Sequence, residues 1–165
     1  MATSIAPLNL NPVDSVLNLN KWKTQIPDMT GCLRTCNEMA GYIASKNLAI
    51  QFYKESKTTT LVTLQPGLQK LKDSLSQNIP VVAGVYYKPF DNHTSNDGLA
   101  DHFVVIVGQG IDDNKNLYFR FFDPGTAYAH HGAGNENRFL LENNKLVAQL
   151  KSNHKKYIVS QIRPK

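Results

Sequence analysis

The sequence predicts an α+β fold, and two features carry that expectation. Helical apolar spacing is confined to the first half of the chain, and the second half is a series of short β-branched and aromatic runs separated by turns. Helices followed by strands argue for helix packed on an antiparallel sheet, not for the strand–helix alternation of a doubly wound fold. The 165 residues suit a single domain large enough to bury a core without a disulfide or metal staple. No internal repeat is present.

Residues 1–20 are rich in Asn, Pro and Leu without helical or strand periodicity and read as a flexible N-terminal arm, which leaves 21–165 as the domain. A turn-like Pro-Asp-Met-Thr-Gly stretch then leads into a helix from Cys32 to about Lys46. Its apolar stripe is Leu33, Cys36, Met39, Ala40 and Ile43. Alternating apolar positions from Ala49 to Tyr53 predict a short strand. Thr58–Thr63 and Pro66 follow, and Leu68, Leu71 and Leu75 mark a second helix over Gly67–Gln77. Strands are expected at Pro80–Tyr87, His102–Gly108, Leu117–Asp123, Arg138–Leu141 and Tyr157–Ile162.

Composition excludes several classes. Apolar residues make up 41% of the chain and charged residues 19%, which is globular, and no apolar run has the roughly 18 to 20 residues that would span a bilayer. The net charge of +5 is spread over single lysines, densest near the end at Lys151, His154, Lys155, Lys156, Arg163 and Lys165. Without zinc-finger spacing or an RNA-recognition aromatic motif, this argues against a nucleic-acid partner. The N-terminus shows no basic start followed by an apolar stretch, so the expectation is a cytoplasmic protein or one exported without a signal peptide.

The two cysteines, Cys32 and Cys36, stand four residues apart on one helical face and form no disulfide framework. Cys32 falls at a helix N-terminus, whose partial positive charge favours thiolate over thiol; its bland reading is a small buried hydrophobe. Cys36, one turn deeper, reads as packing, with a nucleophile's role as the alternative. His102 follows the polar loop 91–101 and heads an apolar strand, which would hold its ring firmly at a cleft edge and makes it the best candidate base. Asp123 closes the next strand before Pro124 and Gly125, where it is either a turn former or the group that orients the imidazole. Gln25, seven residues before Cys32, is either a surface amide or a donor to a developing oxyanion. Asp112 and Asp113 read as solvated turn residues, and His93, His130, His131 and His154 as surface residues. No further ligand lies at metal spacing around the His130–His131 pair, so neither metal nor cofactor is expected. Trp22 and Tyr128 receive no role.

Several of these pieces together carry a resemblance. The C-x-x-T-C-x-x-M run from Cys32 to Met39, the Asn-Ile-Pro-Val-Val-Ala-Gly-Val segment from Asn78, the His-Phe-Val-Val-Ile-Val-Gly strand from His102 and the Phe-Asp-Pro strand end at Asp123 resemble the papain-like cysteine peptidases. The closest likeness is to the branch related to bacteriocin-leader peptidases, and it covers roughly residues 25–124. That family usually has glycine directly after its cysteine; this chain has Leu33. The resemblance implies a papain-like fold, with the nucleophile on an N-terminal helix packed against an antiparallel sheet, and a Cys32–His102–Asp123 triad assisted by Gln25. The implied activity is a thiol hydrolase acting on a peptide or amide bond of a peptide or protein substrate.

The same triad would also serve a deamidase or a transglutaminase-type acyl transferase, and the same scaffold a non-catalytic binding module. A loose arm and basic charge fit an effector or toxin domain delivered by a dedicated secretion system, a reading that implies an inhibitor or immunity protein as partner.

Overall fold

The computed structural model describes residues 10–25, 31–53, 61–87, 102–150 and 155–165. Its fold mixes helices with an antiparallel sheet, compatible with the α+β class. The order is α1 (Gly31–Ala40), β1 (Ile50–Gln51), α2 (Leu61–Ser76), β2 (Val81–Tyr86), β3 (His102–Ile111), β4 (Leu117–Phe122), α3 (Ala129–Gly132), β5 (Arg138–Glu142), β6 (Lys145–Gln149) and β7 (Lys156–Arg163). The loop at 91–101, with His93, and the tail position His154 lie outside the described residues.

All strand pairs are antiparallel, in the spatial order β1-β7-β2-β3-β4-β5-β6. β6 also pairs with β7, so the sheet curls back onto itself. Register shifts at Gly84/Val85 and between Ile106 and Gly108 mark bulges, which bend strands and increase their twist.

Alternation along the strands separates two apolar clusters. Val81, Ala83, Val85, Val104, Ile106, Phe119 and Phe121 join Leu64, Leu68, Leu71 and Leu75 of α2 in the larger one. Each of those fully buried leucines contributes about 1.5 to 3 kcal/mol. The opposite side chains, Val82, Phe103, Val105, Val107 and Phe122, pack with Cys32, Cys36 and Met39 of α1. That second cluster seats the cysteine helix across β2 and β3. The chain beyond α1 is fastened by Tyr42, whose hydroxyl donates to the Arg163 carbonyl at 2.7 Å and accepts from the Val82 N–H at 3.0 Å.

Several elements differ from their sequence expectation. α1 ends at Ala40, not near Lys46, because Gly41 takes φ +81° and stops the helix; Ile43, expected in its stripe, is 84% exposed. α2 begins at Leu61 and runs through Pro66. Proline there removes one main-chain donor near the helix start, and the buried leucine stripe outweighs the loss.

β6 was not expected at all. It is joined to β5 through Asn143 and Asn144, whose φ values of 49° and 64° are those of a tight two-residue hairpin turn. The described part of the expected arm, from Leu10 onward, is laid along β3. Val13 exchanges main-chain bonds with Gln109 at 2.9 and 2.8 Å, and Val16 donates to the Val107 carbonyl at 2.8 Å. That is more attachment than the composition of this stretch predicts. No helix among the described residues is long and apolar enough to cross a membrane.

The contact between α2 and the β1 segment depends on Gly67, where a Cβ would run into the buried Phe52 ring. Alanine in a helix interior normally stabilises by up to about 1 kcal/mol relative to glycine. Gly67→Ala is expected to reverse that sign, lowering stability by about 1 to 3 kcal/mol in urea denaturation as the core is overpacked.

Candidate active site

Three elements converge at one end of the sheet. Cys32 lies in the first turn of α1, a ten-residue helix with no acidic residue in that turn to oppose a thiolate. His102 is the first residue of β3, paired with Val85 of β2. Asp123 directly follows β4, the antiparallel partner of β3. Because the strands run in opposite directions, the start of one and the end of the other fall at the same sheet edge.

The His102 Nε2 lies 2.7 Å from Asp123 Oδ1, in a contact buried on both sides. The Cys32 thiol is coupled to the same ring through hydrogen bonding and charge. With Nε2 committed to the carboxylate, Nδ1 is the nitrogen left for sulfur. The structure therefore brings Cys32, His102 and Asp123 into one contiguous relay.

The carboxylate is itself held. Asp123 Oδ1 accepts the Gly125 N–H at 2.8 Å, and Oδ2 accepts the Tyr157 hydroxyl at 2.8 Å. Gly125 is required by closeness, because a Cβ there would stand 2.9 Å from His102 Nε2 and 3.0 Å from Asp123 Oδ1. The Asp123 main chain is pinned too: its N–H donates to the Gly132 carbonyl at 2.7 Å, and its carbonyl accepts the Trp22 indole N–H at 2.7 Å.

Gln25 is tied to the same corner through its main chain, which donates to the Pro124 carbonyl at 2.8 Å. Its side-chain oxygen is buried without a hydrogen-bond partner. Thr24 extends the attachment, its hydroxyl donating to the Thr126 carbonyl at 2.8 Å. Residues 26–30, which connect Gln25 to α1, lie outside the described residues.

The surroundings set the charge states. Burial pushes the Cys32 thiol up, but the hydrogen bond and charge of His102, with the main-chain N–H groups of Phe103 and Leu33, outweigh it and bring the pKa below the ordinary value. Burial pulls His102 down. Hydrogen bonds and charges from Asp123 and Cys32 overcome this and raise it to about 9. Burial likewise opposes the Asp123 charge, yet His102, the Gly125 N–H and the Tyr157 hydroxyl hold its pKa below the usual carboxylate value. Both shifts favour thiolate and imidazolium over the neutral thiol and imidazole.

Cys36 is the contrast. It is fully buried, and burial together with the charges of Cys32 and Asp123 pushes its thiol well above the ordinary value, so it fits packing and not nucleophilic attack. The Asp112 carboxylate accepts the N–H groups of Asn114 and Asn116 at the far end of the β3–β4 hairpin, as a turn residue does. His130 and His131 sit in α3 beside the exposed Tyr128. Among the described residues no cluster of His, Cys, Asp and Glu is arranged to hold a metal ion.

Sequence reading missed Trp22, Gly125 and Tyr157 as neighbours of the triad. The first two lie beside residues already singled out, but Tyr157 arrives from β7, 34 residues beyond Asp123. Nothing local to it signals that approach.

These charge states predict selective alkylation. At pH 6 an unperturbed thiol of pKa about 8.5 is only about 0.3% thiolate, so Cys32 is expected to react with iodoacetamide about tenfold or more faster than free cysteine. Cys36 is expected to stay unlabelled until the chain is unfolded, as peptide mapping of the alkylated protein would read. In comparisons with known proteins, no family model, no curated protein and no solved structure matches this chain.

Proposed function

We propose that this protein is a thiol hydrolase of papain-like type, akin to the bacteriocin-leader peptidases, that cleaves a peptide or amide bond in a peptide or protein substrate. The observation carrying the reading is the contiguous relay from the first-turn cysteine of α1 through a buried imidazole to a carboxylate with both oxygens engaged. A structural cysteine has no use for such an arrangement. A nucleophile needs each part of it.

In the reaction, the Cys32 sulfur attacks the carbonyl carbon and forms a C–S bond as the carbonyl π electrons move to oxygen. The resulting oxyanion is met by the main-chain N–H at Cys32 and the Gln25 amide. When the tetrahedral intermediate collapses, the C–N bond breaks, and protonated His102 gives its proton to the departing amine. Neutral His102 then takes a proton from water, whose oxygen attacks the thioester; the acid product leaves, and Cys32 and His102 return to thiolate and imidazolium. Asp123 stays ionised throughout, fixing the ring and stabilising its charge.

A peptide library incubated with the protein and read by mass spectrometry tests this directly. New termini support hydrolysis. A mass gain of about one unit without chain cleavage would reassign the reaction to deamidation, a crosslink would reassign it to acyl transfer, and no Cys32-dependent change would leave a binding module. Cys32→Ala and His102→Ala are each expected to lower kcat by about a thousandfold or more, and the double variant to lose little beyond either single one.

The pH dependence follows from the charge states. On the acid side, kcat/KM should rise as Cys32 loses its proton, at a pH below the ordinary thiol value. On the alkaline side it should fall as His102 loses its proton near pH 9. An alkaline limb near the ordinary imidazole value of about 6.5 would contradict the assignment.

A further inference from the structure

Tyr157 has no part in the chemistry just described, yet it reaches the centre of the site. Its hydroxyl donates to Asp123 Oδ2 at 2.8 Å, and its residue is only 3% exposed. An ionised carboxylate only accepts hydrogen bonds, so the phenol supplies the proton, and the short distance is that of a charge-assisted bond. Two donors, His102 Nε2 and the Gly125 N–H, already meet on Oδ1. Both would tolerate some rotation of the carboxylate about its Cβ–Cγ bond. A third donor on Oδ2, coming from a different strand, removes that freedom.

The phenol is fixed in turn. Its ring centroid lies 5.7 Å from that of His102, 6.2 Å from Tyr87 and 6.1 Å from Phe121, and Phe121 is stacked on Phe139 at 4.3 Å. β7 is paired on both sides, with β2 at Val85 and Tyr86 and with β6 at Ala148 opposite Tyr157 itself. The hydroxyl is therefore anchored to the sheet and not to the loop that carries Asp123.

We propose that Tyr157 is a positioning residue for the reaction: its hydroxyl locks the Asp123 carboxylate so that Oδ1 stays on His102 Nε2 while the opposite ring nitrogen faces the Cys32 sulfur. This rests on the reading of Cys32, His102 and Asp123 as the reacting unit. The Tyr157 hydroxyl acts on the reacting unit through Asp123, and its ring packs beside the imidazole. Among the described residues, the titratable groups facing the pair are Cys32 and Cys36 from α1, Asp123 from the end of β4, Tyr157 from β7, and Tyr87, whose ring centroid lies 6.5 Å from that of His102. Lys155 lies over the Tyr87 ring, 4.2 Å from its centroid.

The test uses two readouts that need no substrate: the iodoacetamide rate of Cys32 at pH 6, and the proton NMR signal of the His102 Nε2–H in its hydrogen bond to Asp123. In Tyr157→Phe, the rate is expected to fall about tenfold and the imidazole N–H signal to broaden or vanish as its acceptor rotates. In an Asp123→Ala background, adding Tyr157→Phe should change the rate by less than about twofold, because with the carboxylate gone the hydroxyl has no group left to position. Where a cleaved peptide has been found, kcat should fall about tenfold with KM unchanged.

An unchanged rate and N–H signal in Tyr157→Phe would overturn the proposal, as would an effect of equal size in the Asp123→Ala background. Failure of Tyr157→Phe to fold where Asp123→Ala folds would assign the hydroxyl to stability alone and overturn it too. Failure of the catalytic reading looks different: wild-type Cys32 would then react no faster than free cysteine, whatever stands at position 157.

Discussion

The 2.7 Å contact between His102 Nε2 and Asp123 Oδ1 is the constraint on which the site depends. It spends one ring nitrogen on a carboxylate and so dictates which nitrogen faces Cys32. It also keeps a positive charge on an imidazole buried enough to favour neutrality, and the hydrogen bond and charge of that imidazole are what chiefly lower the thiol's pKa. The order of cause runs from the carboxylate through the ring to the sulfur. Loss of Asp123 would therefore disarm a cysteine it does not touch.

Burying three ionised groups is costly, and the fold offsets the cost with directed donors rather than with solvent. Main-chain N–H groups of Leu33 and Phe103 aim at the sulfur, while the Gly125 N–H and the Tyr157 hydroxyl aim at the carboxylate. The N-terminus of α1 adds its partial positive charge on the side of Cys32. Every donor belongs to a strand, a helix or a turn tied to one, so the charged pair can form with little rearrangement. Preorganised donors of this kind strengthen electrostatic catalysis because the protein does not have to reorient during the reaction.

Much of this was legible in the sequence, for a physical reason. Cys32 showed its address because helix starts leave a periodic trace, and His102 and Asp123 showed theirs because the outer ends of consecutive antiparallel strands are neighbours whatever the rest of the sheet does. Their triad needed only one hairpin and one helix to be placed. Tyr157 was hidden because β7 sits between β2 and β6 through pairings far apart along the chain, and strand periodicity says nothing about which strands become neighbours. The length of α1 was overread because apolar spacing continues to Ile43, past the glycine that ends the helix. β6 was overlooked although Asn143 and Asn144 are residue types suited to the left-handed turn that creates it.

The decisive quantity is the charge on the Cys32 sulfur at neutral pH. The ultraviolet absorbance of thiolate, taken as the difference between the wild-type protein and Cys32→Ala across a pH titration, reports it without substrate or label. Thiolate absorbance is expected already at pH 7, with its loss at that pH when His102 is replaced by alanine. Absorbance that develops only as the pH climbs through the range of an ordinary thiol, with or without His102, would contradict that charge assignment.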